Sequence, residues 1–267
     1  NFDDYGLISI MYHRFDESKY PSTNIQLNVF KEQLKIIENH EIKFINPKNF
    51  EQSLYNSKNE RKILLTVDDG LLSFYENAWP ILKKKKIPFI LFISTREVGA
   101  FNYMNWEQIL ELYNNDYVEI GNHSHSHEYL VDDSYEVIKN DIMKSIKIFE
   151  NKLGKNSKFF SYPFGEYSSE FKNIIKELGF EYAFGQHSGV IDETKDLFEL
   201  PRFPINEKYG KLNRFQTLMK TIPLKYKNIF PEEKYLLQSK NPPKVKIEFV
   251  ENIKNLDKIT CFSNEGN

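Results

Sequence analysis

Cysteine is nearly absent: the 267 residues contain one, Cys261. That excludes an internal disulfide framework and any multi-cysteine zinc site. No run of about 18 apolar residues occurs, so no transmembrane helix is encoded. A charge excess is missing too, because 36 Lys and Arg stand against 38 Asp and Glu, leaving −2. This argues against a protein that holds nucleic acid through a global basic field, and no nucleic-acid partner is expected. Aromatic residues are abundant, with 22 Phe and 16 Tyr. So much aromatic area argues for a packed core and against disorder. The length suits one large domain or two smaller ones. The chain begins at Asn1 rather than Met, and loss of an export leader upstream is an expectation.

Short apolar runs alternate with helical patterns. Leu7 to Tyr12, Ile42 to Ile45, Ile63 to Val67, Pro88 to Ile93, Val118 to Ile120, Phe159 to Tyr162 and Tyr182 to Phe184 read as strands. Helical spacing lies between them, most clearly from Tyr135 to Leu153. Strands alternating with helices predict a mainly parallel sheet, and six or seven such units fit a closed or nearly closed β/α barrel. The pattern changes after about Asn206, so residues 1–206 are expected to form the main domain and 207–267 a C-terminal extension. Val245 to Val250 alternates apolar and polar residues, and Ile259 to Ser263 is expected to pair with it as a β-hairpin.

Two of the strand ends carry chemistry. Asp68-Asp69-Gly70 follows the Ile63–Val67 strand. Adjacent carboxylates at an apolar strand end are costly unless something neutralises them. Gly121-Asn122-His123-Ser124-His125-Ser126-His127 follows the Val118 strand. In a turn of helix, His123 and His127 would share a face and can grip one ion. Two imidazoles need a third ligand, and Asp68-Asp69 is the obvious source, with one carboxylate left to act as a base. An isolated Asp-Asp-Gly is usually a turn, and a His-x-His-x-His tract alone can be a loop with adventitious metal affinity. Two such motifs at the ends of apolar strands point to a site, because active sites of α/β folds lie there.

Together these motifs resemble the polysaccharide deacetylases, the NodB-homology family (carbohydrate esterase family four). Leu65 to Gly70 resembles the family's Thr-Phe-Asp-Asp-Gly signature, with Val67 in place of Phe. His123 to His127 matches His-Ser/Thr-x-x-His, and Ser161-Tyr162-Pro163-Phe164 stands where the family has Arg-x-Pro-Tyr. The resemblance covers residues 5–206 in motif order. It implies a distorted (β/α)7-type barrel and a divalent metal held by Asp69, His123 and His127, with zinc the first choice and cobalt, nickel or iron acceptable to the same donors. It further implies Asp68 as general base and an oxyanion held by backbone around Tyr162. Ser161 replaces the arginine that usually orients the aspartate, and Arg202 is the substitute candidate. The late Leu-x-x-His motif is missing. Ile10-Met11-Tyr12-His13 offers a circularly permuted equivalent with His13 as general acid, an arrangement similar to exported poly-N-acetylglucosamine deacetylases. His187 is a second acid candidate or a residue of the cleft rim. Tyr12, Trp106, Tyr162, Pro163 and Phe164 are candidate contacts for sugar. The function so implied is metal-dependent N-deacetylation of an N-acetylglucosamine-containing polymer at the cell surface or in the periplasm. De-O-acetylation of xylan, a peptidoglycan-type substrate, and a degenerate metal- or sugar-binding protein are the alternatives.

Overall fold

The computed structural model describes residues 4–55, 60–251, 253 and 256–260. In chain order the elements are β1 (Leu7–Tyr12), β2 (Arg14–Phe15), β3 (Asn24–Ile25), α1 (Leu27–Asn39), β4 (Lys43–Phe44), α2 (Phe50–Tyr55), β5 (Lys62–Val67), α3 (Trp79–Lys85), β6 (Phe89–Ile93), α4 (Trp106–Tyr113), β7 (Val118–Asn122), α5 (Tyr135–Leu153) and β8 (Phe159–Ser161). There follow α6 (Ser169–Glu177), β9 (Tyr182–Phe184), β10 (Val190–Ile191), β11 (Phe203–Pro204), α7 (Leu212–Leu218), β12 (Tyr226–Phe230) and β13 (Lys246–Phe249).

The main sheet runs β10-β1-β5-β6-β7-β8-β9, with β11 on β1 and β4 on β5. Every pair is parallel except β10 with β1. Parallel strands covered on both faces are apolar throughout, which is why β1, β5 and β6 read so clearly in the sequence. Alternate residues serve two cores. Ile8, Ile10, Ile63, Leu65, Phe89 and Leu91 pack with helix residues such as Leu34, Ile37, Leu82 and Ile109. Leu7, Leu64, Ile90, Phe92 and Phe184 pack with one another on the concave side. The sheet is thus a curled, distorted barrel. An irregular segment draws its two edges together: Leu200 bridges Phe184 of β9, and Phe203–Pro204 pairs with Ile10–Met11 of β1. Arg202 lies between these two contacts and is fully buried.

Helix termini follow the local chemistry. Asn105 and Gln108 form a capping box at the start of α4, and Ser168 caps α6. α5 buries Ile138, Ile142, Ser145 and Phe149 on one face and ends at Gly154 in the left-handed conformation. In α7, Phe215 and Leu218 are buried in the same core as α1. No helix among the described residues is long and apolar enough to cross a membrane.

The hairpin is corrected. β13 pairs antiparallel with β12, upstream of it, rather than with residues 259–263. Ile259 and Thr260 are not in a strand, and residues 261–263 lie outside the described residues. The true partner was hard to see because Tyr226-Lys227-Asn228 precedes Ile229-Phe230 and no apolar run forms.

Candidate metal centre

The carboxyl ends of β5, β7 and β8 converge with the barrel-closing segment. Asp68 is fully buried directly after β5. Its carboxylate receives both prongs of Arg202: Nη1 donates to Oδ1 at 2.7 Å and Nη2 to Oδ2 at 2.8 Å. Ser161 Oγ adds a contact to Oδ2 at 3.2 Å and accepts from Arg202 Nη2 at 2.9 Å. The guanidinium is anchored in turn, donating from Nε to the Gly185 carbonyl at 2.9 Å and from Nη1 to Thr66 Oγ1 at 3.2 Å. Burial pushes the Asp68 pKa up, but Arg202 and His123 outweigh it and hold the carboxyl below its ordinary range.

Asp69 follows with a φ of 74°, and Gly70 with 69°. A Cβ at Gly70 would stand 2.9 Å from Ile93 Cγ2, so glycine fits both the turn and the contact. This reversal aims Asp69 away from Asp68 and towards the histidines. Asp69 Oδ1 lies 3.4 Å from His123 Nε2 and 3.3 Å from His127 Nε2. It is buried yet engages no hydrogen bond of proper geometry. Burial raises the Asp69 pKa, and the two imidazoles against it win, holding the carboxyl well below the usual range.

His123 and His127 converge, with ring centroids 4.9 Å apart. The expected helical turn is not the cause, since residues 123–127 form no helix. Left-handed residues Ser124 (φ 70°) and His127 (φ 53°) turn the chain instead. The loop is pinned from outside: Asp141 of α5 accepts from the backbone N–H of His125 at 2.8 Å and of Ser126 at 3.1 Å. His123 Nδ1 lies 2.7 Å from the Ser161 carbonyl. A proton on Nδ1 makes that hydrogen bond and leaves the Nε2 lone pair facing Asp69, the usual orientation of a ligand histidine. His125 turns away to Thr95 Oγ1, 2.9 Å from its Nδ1.

These three side chains fit a metal. Their donor atoms lie within 4.8 Å of one another. Two donors each about 2.0–2.1 Å from a tetrahedral ion stand about 3.4 Å apart, and the Asp69–histidine separations match. The unpartnered Oδ1 is the acceptor such an ion would satisfy. Two imidazoles and one carboxylate are also the donor set of open, catalytic zinc sites.

The remaining sequence candidates divide. His13 faces this centre: burial lowers its pKa, while Asp69 and Asp68 pull it up and only partly compensate. The Phe164 ring, half exposed, packs against His127 with centroids 5.0 Å apart and planes tilted by 44°, and the neighbouring Pro163 is buried. Tyr12 and Tyr162 are corrections, because both are fully buried and neither ring is open to a sugar. The Tyr12 hydroxyl donates to Gln33 Oε1 at 2.7 Å, and that of Tyr162 to the Phe198 carbonyl at 3.1 Å. The Tyr162 N–H is also spent on the Phe184 carbonyl at 3.0 Å, which removes it as an oxyanion donor. Gly165 and Glu166 donate within the same turn. Phe164, in the left-handed region at φ 58°, has an N–H that no acceptor among the described residues takes up. Trp106 is half-buried against the core with the Lys152 ammonium 5.8 Å from its ring centre, so it is a packing residue rather than part of this cluster. His187 opens into a separate cavity beside Tyr167. Sequence reasoning missed Ser161 as a contact of both Arg202 and Asp68, and missed Asp141, whose α5 position gave no signal.

Residues 55–183 match the family model described as polysaccharide deacetylase. The chain is 28% identical over 218 residues to the poly-beta-1,6-N-acetyl-D-glucosamine N-deacetylase of Staphylococcus aureus, covering 75% of this chain and 74% of that protein. The corresponding Staphylococcus epidermidis protein is 27% identical over 207 residues, covering 72% and 69%. Among solved structures, IcaB from Ammonifex degensii superposes with a TM-score of 0.74 at 25% identity, covering 81% of this chain and 98% of that one. The Streptococcus pyogenes deacetylase PplD, in complex with acetate, shares the fold with a TM-score of 0.73 at 21% identity, over 82% and 100%.

Proposed function

Because the chain carries a polysaccharide deacetylase domain, we propose that it removes N-acetyl groups from an N-acetylglucosamine polymer. The polymer named for the staphylococcal relatives, poly-β-1,6-N-acetylglucosamine, is the substrate to test first. One observation carries the reading: a buried, unpartnered Asp69 oxygen facing two imidazoles, beside a second buried aspartate clamped by an arginine. We assign Asp69, His123 and His127 as ligands of a divalent ion, zinc first. Such an ion supplies positive charge that polarises the acetyl carbonyl and acidifies a water.

The chain's own groups account for the proton traffic. Asp68 Oδ2 lies 3.9 Å from His123 Nε2, so the base borders the same space as the ligands. Its depressed pKa keeps it ionised and able to accept the proton of the attacking water. The Arg202 fork and Ser161 fix its orientation, so no rearrangement is needed when charge moves. The Phe164 N–H is the donor we assign to the developing oxyanion. His13 delivers a proton to the departing amine, and burial makes its imidazolium a stronger acid than an exposed one. Acetate and a free amino sugar result. We propose the cell surface or the periplasm as the site of action, where an exported polymer of this kind would be met. We treat residues 207–267 as an extension of the deacetylase domain, with α7 packed on the helical layer and the β12–β13 hairpin beyond it.

The test is acetate release from β-1,6-linked N-acetylglucosamine oligomers, chitin-like oligomers and acetylated xylan. The protein would first be stripped of metal and then reloaded with zinc, cobalt or nickel. Metal-dependent release from the β-1,6 oligomers, lost about 10²–10⁴-fold in Asp68→Asn or His13→Ala, is the expected result. Release from xylan alone would replace the amide reading by an ester one. Silence on all substrates with metal bound would leave a binding protein.

A further inference from the structure

A cavity of about 1060 Å³ lies outside the metal centre, between the turn after β8, the loop from Gln186 to Pro201 and the β12–β13 hairpin. We infer that this cavity, walled by Tyr167, Tyr226 and Phe164, is a second binding site that holds sugar units of the polymer while another unit occupies the metal centre. The inference rests on the deacetylase reading for the identity of the polymer.

Four observations carry it. The volume matches the upper end of ordinary ligand pockets, about 300–1,000 Å³, which is room for several sugar rings rather than for one acetyl group. The charge is nearly balanced: five lysines and four carboxylates line it. Much of that charge is spent internally, since Lys172 pairs with both Asp196 and Glu199, and Lys195 with Asp192. An ionic ligand would call for an excess of one sign. A neutral, hydroxyl-rich ligand is served by paired charges, which donate and accept hydrogen bonds together. The exposed Phe164 ring supplies the other half of sugar recognition, an apolar surface beneath the C–H face of the pyranose, while the mostly buried Tyr167 and Tyr226, whose ring carries the Lys195 ammonium 4.4 Å from its centre, line the wall beside it. Finally, the cavity neighbours the reaction centre: Phe164 lines it and its ring also packs, tilted, against His127. A polymer lying across Phe164 would therefore place one unit in the cavity and a neighbouring unit at the metal ligands.

The hairpin forms part of this second site. Tyr226 and Ile247, one from each of its strands, close the outer wall. That wall is supplied by the extension and not by the barrel.

The test uses the full chain and reads binding separately from turnover. A hexamer of β-1,6-linked N-acetylglucosamine is titrated calorimetrically into the Asp68→Asn variant, alone and combined with Tyr226→Ala or with Ser188→Trp. Ser188 is an exposed position on the cavity wall, where an added indole fills space without entering a core. Both combinations are expected to weaken hexamer binding about tenfold or more. In the otherwise wild-type chain, each substitution should raise KM for the hexamer by a similar factor and leave turnover of a disaccharide unchanged. Equal hexamer affinity in all three titrated proteins, with thermal melts showing them folded, would overturn the inference, as would no hexamer binding at all. The titration remains decisive even if the wild-type chain releases no acetate, so failure of the catalytic reading is distinguishable from failure of this one.

Discussion

Replacing Arg202 by Met is the sharpest perturbation of the proposed site. Methionine keeps roughly the length and apolar bulk of the side chain and removes the guanidinium. Asp68 then loses two charge-assisted hydrogen bonds of 2.7 and 2.8 Å while remaining fully buried. Of its hydrogen bonds only the 3.2 Å contact to Ser161 Oγ is left, with His123 Nε2 3.9 Å away. Stranding one partner of a buried ion pair costs about 3–5 kcal/mol. At about 2–4 °C per kcal/mol for a chain of this size, the melting temperature should fall by roughly 6–20 °C. The loss is pH-dependent with a definite sign. Asp68 has a depressed pKa in the folded protein, so its pairing stabilises above the ordinary carboxylate range and that contribution vanishes as pH falls through the folded value. Wild type and variant should therefore differ most at neutral pH and converge in acid. Calorimetric melts across pH 3–8 measure this, and Arg202→Lys, with charge but no fork, should fall between the two. Adding Ser161→Arg to the methionine variant returns a guanidinium from the position the family motif normally uses, and should recover part of the loss. A folded Arg202→Met protein with an unchanged melting temperature throughout would refute the argument.

Alanine at Asp69 and His123 together should abolish stoichiometric zinc, read by atomic emission after dialysis, while Asp68→Asn retains it; retained zinc in the double variant would sink the ligand assignment. Gly121→Ala places a Cβ 2.3 Å from Phe92 Cδ1 in the concave core and should cost about 1–3 kcal/mol in urea unfolding. Glu111 receives hydrogen bonds from Lys83, Tyr75 and Trp79, which lower its pKa to about 2. Its side chain is 38% exposed, so screening leaves about 1 kcal/mol; Glu111→Gln should lose that at pH 7 and show little difference near pH 2, because the stabilisation fades as pH drops below the ordinary carboxylate value.

Legibility in the sequence followed burial. Strands covered on both faces read as continuous apolar runs, so β1, β5 and β6 stood out, and the polar residues that interrupt such runs at their ends marked Asp68, Asp69 and His123. Sequence pattern is ambiguous where one residue type serves two roles. Tyr12 and Tyr162 carry the amphipathic rings that suit a sugar site, but their hydroxyls satisfy Gln33 and the Phe198 carbonyl inside the core. Periodicity could not see that a left-handed turn, rather than a helix, joins His123 to His127, because φ at Ser124 is set by the Asn122 and Asp141 contacts around it. The β12 strand was hidden by its polar start, and the cavity it helps to close has no linear signature.

Arg202 and His13 show why motif order is a weaker guide than the barrel itself. The space around Asp68 is bounded by β1, β5, β8 and the segment Leu200–Pro204, all of which deliver their ends to one rim. A guanidinium placed on any neighbouring wall can reach the same two oxygens. With Ser161 on β8 too short to do so, Arg202 enters from the segment that closes the barrel, and its guanidinium is held by Thr66 of β5 and by the Gly185 carbonyl just after β9. The same reasoning applies to His13. The end of β1 lies beside the end of β5, in register from Leu7 with Lys62 to Tyr12 with Val67. A histidine one residue beyond β1 is therefore delivered next to Asp68 whatever its place in the chain. What the chemistry requires is a set of positions around a rim, and a curled parallel sheet lets any strand end supply them.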